Sequence, residues 1–389
     1  MSKLLFTLSD TAMGFDEGDW FFDSDNIESE HIDNTPFTIT QEVLEGGRQE
    51  GVRVITLTCE NGLTFSVCPT RGMNILEVFS HDGTRLGWDS PINEVIHPNT
   101  MNLEAQGGCG WGEAFNEMMV RCGYAWAGHP VREGNMFYTL HGRAGNLAAS
   151  RVEVEICDEE RPTVRIRGLV KEKVFKGACL ECWTEIIYEL GSMSFAIHDH
   201  LTNVGDYPQD YQLIYHSNFG MPLLEEGARF VAPVEHISPF NEQALPGLQE
   251  WQSFKGPTRD FDETVYNIRP YANEAGNTIA ALVDKAGERG VSIAFDVRTL
   301  PYLTLWKNTD TLNRGYVTGI EPSTCFCYPV TVEREQVRVR TLAAGESVDF
   351  TIIFTMLHGA DAILHLEQEV EKIQAGRKTT VSEQPIAYE

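Results

Sequence analysis

The sequence predicts an all-β protein, a large antiparallel β-sandwich with a short C-terminal helix. Short runs of alternating apolar and polar residues recur along most of the chain, as on strands that bury one face. Gly, Asp, Asn and Pro separate many of these runs at spacings typical of antiparallel sheets. The strand–helix–strand rhythm of a parallel sheet is not found. We therefore expect one β-domain over residues 1–375 and a polar tail over residues 376–389 that frays.

The strands and the helix are predicted from local patterns. Residues 52–73 form two strands around Asn61-Gly62, a dipeptide that favours a tight hairpin turn. Apolar residues at positions 363, 364, 366, 370 and 373 predict an amphipathic helix over Ala360–Gln374, ending at Gly376. Alternation predicts further strands near 151–157, 163–170, 183–189, 194–202, 210–216, 279–283, 291–296, 302–307, 326–332, 336–341 and 348–356.

One long segment does not follow this rhythm. Residues 89–137 are rich in Gly, Trp, Asn and Met and show little periodicity, so they form a long excursion between strands. Loops of this length inside compact domains are usually functional or carry small elements of their own.

The composition narrows the class of partner. Asp and Glu number 57 against 30 Lys and Arg, for a formal net charge of −27. Such a surface repels nucleic acids and anionic membranes, so we expect neither as a partner and favour a neutral small molecule. At the amino terminus Lys3 is followed by only three apolar residues before Thr7, which is too short for an export signal. Nine cysteines without a compact pattern, with Cys325 and Cys327 on one strand face, indicate free thiols and a cytoplasmic protein.

Three places combine ionisable side chains with a break in the strand pattern. His141 and Arg143 lie on a Gly-containing turn, where the alternative is a capping His and a solvated Arg. His216 lies at a strand end, where the alternative is a half-buried His satisfied by a backbone carbonyl. Glu321 lies among apolar residues, which suits a general base, or is exposed on a turn before Pro322.

Together these groups could catalyse proton transfer at a sugar hemiacetal. A carboxylate would take the proton from the O1 hydroxyl while an imidazole protonates the ring oxygen. The ring then opens, rotation about C1–C2 exposes the other carbonyl face, and closure gives the other anomer.

The order of these motifs resembles the galactose mutarotase-like (aldose 1-epimerase) superfamily, whose fold is a β-supersandwich. His141-Gly142 matches its early His-Gly, and residues 215–219 resemble its strand-end His segment. Residues 300–308 resemble its late aromatic strand, and Glu321 stands where the superfamily has its catalytic Glu. The sequence is most similar to an uncharacterised bacterial branch through PTRGMNI (69–75), GWDSP (87–91), RCG (121–123), HGR (141–143), LIYHSNFGMPLL (213–224) and GIEPST (319–324).

The resemblance implies roles for individual residues. Glu321 would be the general base, His216 the general acid, and His141 would contact the sugar ring. Asp262 is a second choice, after Glu263, for the acidic residue that holds sugar hydroxyls. The implied substrate-binding set is Arg71, Arg143, Asn218, Glu263, Trp306 and Lys307.

The resemblance implies no cofactor and no metal, and it leaves a homo-oligomer open. Arg71 and Arg143 belong to the bacterial branch and could mark a substrate with a carboxylate. Three functions therefore remain: a mutarotase, a carbohydrate-binding or sensor protein without turnover, and an epimerase of an unusual acidic sugar.

A pair of histidines on one strand raises the alternative of a metal site. His198 and His200 share one face of a strand, but position 204, where a carboxylate ligand would be expected, is Val204. No third ligand can be named. Asp199 points to the opposite face and needs a partner if it is buried.

Overall fold

The strands account for most of the ordered structure. The computed structural model describes residues 2–29, 31–32 and 34–385. The first thirteen strands are β1 (Ser2–Asp10), β2 (Phe15–Asp16), β3 (Trp20–Asp23), β4 (Phe37–Val43), β5 (Arg53–Cys59), β6 (Leu63–Cys68), β7 (Asn74–Ser80), β8 (Arg85–Leu86), β9 (Met119–Tyr124), β10 (Val131–Glu133), β11 (Met136–Tyr138), β12 (Arg151–Asp158) and β13 (Thr163–Lys173). The others are β14 (Cys179–Glu189), β15 (Ser194–Asn203), β16 (Gln209–Phe219), β17 (Arg229–Val231), β18 (Val234–Pro239), β19 (Thr264–Pro270), β20 (Asn277–Val283), β21 (Arg289–Asp296), β22 (Tyr302–Asn308), β23 (Val317–Ser323), β24 (Arg340–Leu342), β25 (Ser347–His358) and β26 (Thr380–Val381).

These strands form two large sheets and one small hairpin. The first sheet has ten strands in the order β17-β20-β21-β25-β15-β14-β13-β12-β1-β2. The second has fourteen, in the order β26-β18-β19-β22-β23-β16-β9-β7-β6-β5-β4-β3, with β24 beside β16 and β8 beside β7. Strands β10 and β11 pair only with each other. The helices are α1 (Ala105–Gly108), α2 (Val330–Glu335) and α3 (Ala360–Gln374).

Alternation along the strands of the first sheet gives it one apolar and one charged face. Ile166, Ile186 and Ile197 stand side by side on β13, β14 and β15, and all three are buried. One position further along, Arg167 faces Glu185 on the outer surface, with 2.7 Å between Nε and Oε1. Because side chains alternate across a strand, this register sends Ile166, Ile186 and Ile197 inward together.

The apolar faces of the two sheets pack against each other. Phe65 on β6 stacks on Phe195 of β15, with ring centroids 5.8 Å apart, and meets Tyr188 of β14 edge-on at 5.5 Å. A charged pair also crosses the interface: Arg121 on β9 donates to Asp199 on β15. The buried Asp199 thus has the partner that the sequence required.

The centre of the second sheet is covered on both faces. Strands β9 and β23 are buried at every position, and β16 at all but its first two. The cover comes from the predicted excursion, in which Trp111 packs over Val120 and Ile214 of the sheet. The excursion carries small elements of its own, including α1 and β10, but it also contains β9, a central strand of the second sheet, so residues 89–137 are not only a connection between strands.

Two predicted strands are wrong or displaced. Residues 326–332 do not form a strand, because β23 ends at Ser323, the chain after it is irregular, and helix α2 begins at Val330 directly after Pro329. The strand expected over 336–341 is only β24, from Arg340 to Leu342. Cys325 and Cys327 consequently lie on the irregular segment after β23 rather than on a strand face.

The C-terminal helix is confirmed over the residues predicted. Helix α3 buries Ile363, Leu366 and Ile373 against β20 and ends before Gly376, whose φ is +69°. Beyond it, β26 pairs in parallel with β18, so part of the polar tail joins the sheet edge. Residues 386–389 of that tail lie outside the described part of the chain. None of the described helices is long and apolar enough to cross a membrane.

Candidate active site

A cavity of about 240 Å³ lies on the outer face of the second sheet. On β22, Leu303 and Leu305 point into the core, so the alternate residues Thr304 and Trp306 point outward into the cavity. The excursion forms the opposite wall. The lining residues are Cys109, Trp111, Gly112, Phe115, His129, Leu140, His141, His216, Glu263, Val265, Thr304, Trp306, Glu321 and Cys327.

His216 and Glu321 meet because of the strand register. Ser217 on β16 faces Ile320 on β23, which makes His216 and Glu321 cross-strand neighbours. The Nε2 atom of His216 lies 3.3 Å from Oε1 of Glu321, and both side chains are almost fully buried.

A hydrogen-bond chain fixes the tautomer of His216. The Nδ2 group of Asn218 donates to the backbone carbonyls of Glu117 and His216, so its Oδ1 faces the imidazole as an acceptor. His216 Nδ1 lies 2.7 Å from that oxygen and must donate to it. In the neutral ring, Nε2 is then unprotonated and lies 3.3 Å from Glu321 Oε1, an oxygen that makes no hydrogen bond with any described residue. A proton on either Glu321 or His216 Nε2 can be passed across this distance.

Burial decides which of the two groups holds the proton. It raises the pKa of Glu321 well above its usual value; the Cys327 thiol, 3.8 Å away, lowers this pKa and Glu263 raises it further. Burial also lowers the pKa of His216 to about 4, although the bond to Asn218 acts in the opposite direction. Both shifts favour the neutral pair, with the proton on Glu321.

His141 lies beside this pair on a strained turn. Its φ is +59°, and its backbone donates to Gly128 O and accepts from Gly123 N, which hold the turn in place. The ring centroid lies 5.4 Å from that of His216 and 4.7 Å from that of Trp111. Burial, with His216 and His129 nearby, lowers the pKa of His141 well below its usual value. Its Nδ1 has no hydrogen-bond partner among the described residues.

Aromatic rings form much of the cavity wall. Trp111 and Phe115 come from the excursion, and the ring centroid of Phe115 lies 5.9 Å from that of Trp306 on β22. The indole nitrogen of Trp306 donates to Glu263 Oε2 at 2.7 Å. Rings beside a few polar groups suit a sugar, which has apolar C–H faces and polar edges.

Comparison with known proteins identifies the family. The family model for the domain of unknown function DUF4432 matches residues 49–356. This chain belongs to the DUF4432 family. A protein from Klebsiella pneumoniae with the provisional name aldose 1-epimerase is 53% identical over 100% of both chains, with a TM-score of 0.97. No curated protein matches the sequence.

More distant structures share the fold of this DUF4432 protein. A galactose mutarotase-like protein from Clostridium acetobutylicum is 16% identical, covers 88% of this chain and 100% of its own, and has a TM-score of 0.55. The predicted galactose mutarotase-like sandwich and its relation to an uncharacterised branch are thereby confirmed.

The DUF4432 fold brings together five of the predicted site residues. Glu321, His216, His141, Glu263 and Trp306 all line the 240 Å³ cavity. The sixth, Asn218, stands behind His216 and does not line the cavity, so it positions the imidazole rather than the sugar.

The three predicted cations do not line this cavity. Arg71 is buried, with Nε 2.9 Å from Glu117 Oε1, and also donates to the Ile96 carbonyl, so it anchors the excursion to the sheet. Arg143 lines a separate groove. Local sequence gives no sign of the Arg71 pairing, because its partner lies 46 residues away.

Lys307, the third cation of the predicted substrate-binding set, also lies outside the 240 Å³ cavity. It follows Trp306 on the strand and therefore points to the opposite face, into another cavity that Asp262 also lines. Its Nζ donates to Ser253 O at 2.8 Å and lies over the ring of Phe254. Burial lowers the pKa of Lys307 to about 7.

Sequence reasoning missed several cavity residues of this DUF4432 chain. Trp111 and Phe115 lie in the aperiodic excursion, where the abundance of Trp and Gly was the only signal. His129 is held at the cavity by Nδ1, which donates to Cys327 O at 2.7 Å, and by stacking on Phe240.

No cluster of three or more His, Cys, Asp and Glu side chains suited to a metal ion occurs in the part of the chain that the structure describes. His198 and His200 both contact Asp349 on the outer face of the first sheet, at 3.3 and 2.8 Å.

Proposed function

We propose that this protein is a sugar mutarotase, an aldose 1-epimerase that interconverts the anomers of a neutral sugar. The contact between Glu321 and His216 is the observation that supports this function best. It places a carboxyl group and an imidazole 3.3 Å apart in a cavity lined by aromatic rings. The two groups hold one transferable proton between them.

The chemistry needs two proton transfers at oxygens bonded to the same carbon. The O1 hydroxyl loses its proton to Glu321, and the ring oxygen O5 receives the proton from His216 Nε2. The C1–O5 bond then breaks and C1 becomes an aldehyde. Oxygens on one carbon are close neighbours, so a base and an acid in mutual contact can serve both.

The proton moves between the two residues within one cycle. Ring opening starts from Glu321 as carboxylate and His216 as imidazolium, and it leaves both groups neutral. After rotation about C1–C2, Glu321 returns a proton to O1 while His216 takes the proton from the O5 hydroxyl. Closure thus restores the ion pair, and no other proton donor is needed. Burial favours the neutral pair, so the catalytic cycle must begin with transfer of the proton from Glu321 to His216.

The cavity favours a neutral sugar. Among the described residues that line it, none is Lys or Arg, whereas Glu263 and Glu321 are both acidic. A substrate carboxylate would meet two carboxyl groups and no compensating cation. The acidic-sugar alternative, which depended on Arg71 and Arg143, therefore has no support in the geometry.

A carbohydrate-binding or sensor protein is the second candidate. One observation favours it: burial favours the neutral form of both Glu321 and His216, so a sugar could bind without proton transfer.

The test is saturation-transfer NMR between α and β anomer signals, over a panel of aldoses and uronic acids. Wild type would be compared with Glu321→Gln and His216→Ala, and with His198→Ala as a control on the outer face of the other sheet. We expect a neutral aldose to exchange faster than its spontaneous rate. Both site variants should lose most of that acceleration, about 10²-fold or more, while the control retains it.

If the wild type accelerates no sugar, yet calorimetry detects sugar binding that Trp306→Ala weakens, the sensor function replaces the mutarotase. Acceleration that persists in Glu321→Gln would also contradict the proposed mechanism. Circular dichroism of each variant establishes that loss of activity is not loss of fold.

A further inference from the structure

A groove of about 820 Å³ lies outside the catalytic cavity and is lined by motif residues that the mechanism does not need. It is lined by Pro69 and Thr70 of the PTRGMNI segment and by Arg143 and Asn146, which follow His141 on the same turn. His141 lines the catalytic cavity, whereas Arg143 and Asn146 line this groove. We name it the Arg143 groove.

The groove has an uncompensated positive charge in a strongly acidic protein. Its titratable lining residues are Asp16, Arg53, His97 and Arg143. Arg53 is neutralised by Asp16, with Nε 3.2 Å from Oδ1. His97 accepts a hydrogen bond from its own turn, and burial together with Arg53 lowers its pKa. The charge that remains is that of Arg143.

Arg143 has no side-chain partner. Its guanidinium makes no hydrogen bond and no ion pair with any described residue, although it is half-buried. Burial raises the pKa of Glu172, and the charge of Arg143 acts in the opposite direction. Glu172 Oε2 accepts hydrogen bonds from the backbone amides of Tyr124 and Ala125, however, and forms no ion pair with Arg143. A half-buried guanidinium offers five donors in a planar fork that matches a carboxylate or phosphate.

Asn146 adds a second group without a partner. Both its Nδ2 and Oδ1 atoms are shielded from solvent and lack a hydrogen-bond partner in the described chain. Burying an amide without a partner costs free energy, so a rotation that turns the Asn146 amide into the groove is favoured when a ligand there accepts its hydrogen bond. Asn146 and Arg143 lie one turn apart, joined by the bond from Asn146 N to Arg143 O.

We propose that the Arg143 groove binds a small anion that carries a carboxylate or a phosphate, with Arg143 as the charged partner and Asn146 as an additional donor. The volume accommodates a sugar-sized molecule. This site is separate from the catalytic cavity and does not depend on the proposed mutarotase activity.

Isothermal titration calorimetry at low ionic strength tests the site. The probes are inorganic phosphate, glucose 6-phosphate and glucuronate, with glucose as the neutral control. We expect at least one anion to bind the wild type through the groove. Arg143→Gln should weaken that binding about tenfold or more, because a charge-assisted hydrogen bond is lost. Glucuronate binding alone would identify a sugar acid, and binding of both phosphates would identify the phosphate group.

Matched variants separate the groove from other effects. Arg161→Gln removes the same charge at an exposed position in the turn between β12 and β13 and should leave the affinity unchanged. Glu321→Gln should bind the anion as the wild type does, because it alters only the catalytic cavity. Asn146→Ala provides a second, smaller loss if Arg143→Gln does not fold. The proposal is overturned if no anion binds, if Arg143→Gln binds like the wild type, or if Glu321→Gln abolishes binding.

Discussion

Asn218 determines which nitrogen of His216 faces Glu321. Its Nδ2 group donates to two backbone carbonyls, so only its Oδ1 atom remains to accept from the imidazole. An Asn held in this way cannot flip, and the imidazole cannot change tautomer without breaking the 2.7 Å bond. The proposed proton transfer thus depends on a residue that does not touch the sugar.

Two substitutions at Asn218 should move the pKa of His216 in opposite directions. Asn218→Ala removes an acceptor that stabilises the imidazolium, so the pKa should fall below about 4. Asn218→Asp places a carboxylate beside Nδ1, so the pKa should rise. Titration of the imidazole nitrogens by NMR measures both shifts. Shifts in the same direction would show that Asn218 does not control the proton; a lower kcat with unchanged KM in Asn218→Ala would support a positioning role.

The turn that carries His141 is closely packed. Gly142 has φ +70°, and a Cβ there would lie 2.1 Å from Trp126 O and 2.6 Å from Gly123 O. The turn bonds to β9 through Gly123 and so aligns His141 with the sheet. Close backbone contact thus explains why glycine follows the histidine.

Gly142→Ala should destabilise the protein and displace His141. The strained φ and the backbone clash together should lower the free energy of unfolding by about 3 kcal/mol or more. Gly134→Ala is the matched control, since Gly134 has φ +58° but no atom within 4 Å of the added Cβ. Its cost should be about 1 kcal/mol. Urea unfolding measures both, and equal losses would show that the close packing does not matter.

At the element scale, local patterns were sufficient wherever neighbours in sequence decide the structure. The hairpin at Asn61-Gly62 and helix α3 follow from turn chemistry and apolar periodicity. The failure at 326–332 has a local cause as well. Val330 and Val332 alternate as in a strand, but Pro329 fixes the start of a helical turn.

The site was predictable only in part. His141, His216 and Glu321 stand in motifs that could be matched, and the sheet register then brings the last two together. Trp111 and Phe115 could not be assigned, because their place depends on how an aperiodic segment folds back over the sheet. Arg71 was expected to bind the substrate, whereas the structure places it outside the cavity, paired with Glu117. Local sequence could not indicate this pair, because the two residues are distant in the chain.

At the scale of the whole molecule, a buried ion pair joins the two sheets. Arg121 on β9 and Asp199 on β15 are fully buried, with 2.6 Å between Nε and Oδ2. The hydroxyl of Tyr215 donates to the same carboxylate at 2.8 Å, and Arg121 also donates to the carbonyls of Gly72 and Met73. This network fixes how β9 and β16, which flank the site, sit over the other sheet.

Removing one partner of this pair should be more harmful than removing both. Arg121→Met or Asp199→Leu alone should cost about 3–5 kcal/mol, because a buried charge is left without compensation. The double variant should lose less than the sum of the two. The exposed pair Arg229–Glu367 is the control, and Arg229→Gln should cost under about 1 kcal/mol. Additive losses in urea unfolding would show that the two charges do not stabilise each other.

The hydrogen bond from Trp306 to Glu263 should make the fluorescence of Trp306 sensitive to a sugar in the cavity. A sugar hydroxyl that takes the Glu263 oxygen must displace the indole N–H, which changes the polarity around that ring. Tryptophan fluorescence should therefore shift when a sugar enters, without any attached dye. Trp306→Phe should lose most of the shift, while Trp183→Phe, on the outer face of the first sheet, should keep it. A shift that survives Trp306→Phe would assign the signal to Trp111, and emission could then screen sugars whether or not they are turned over.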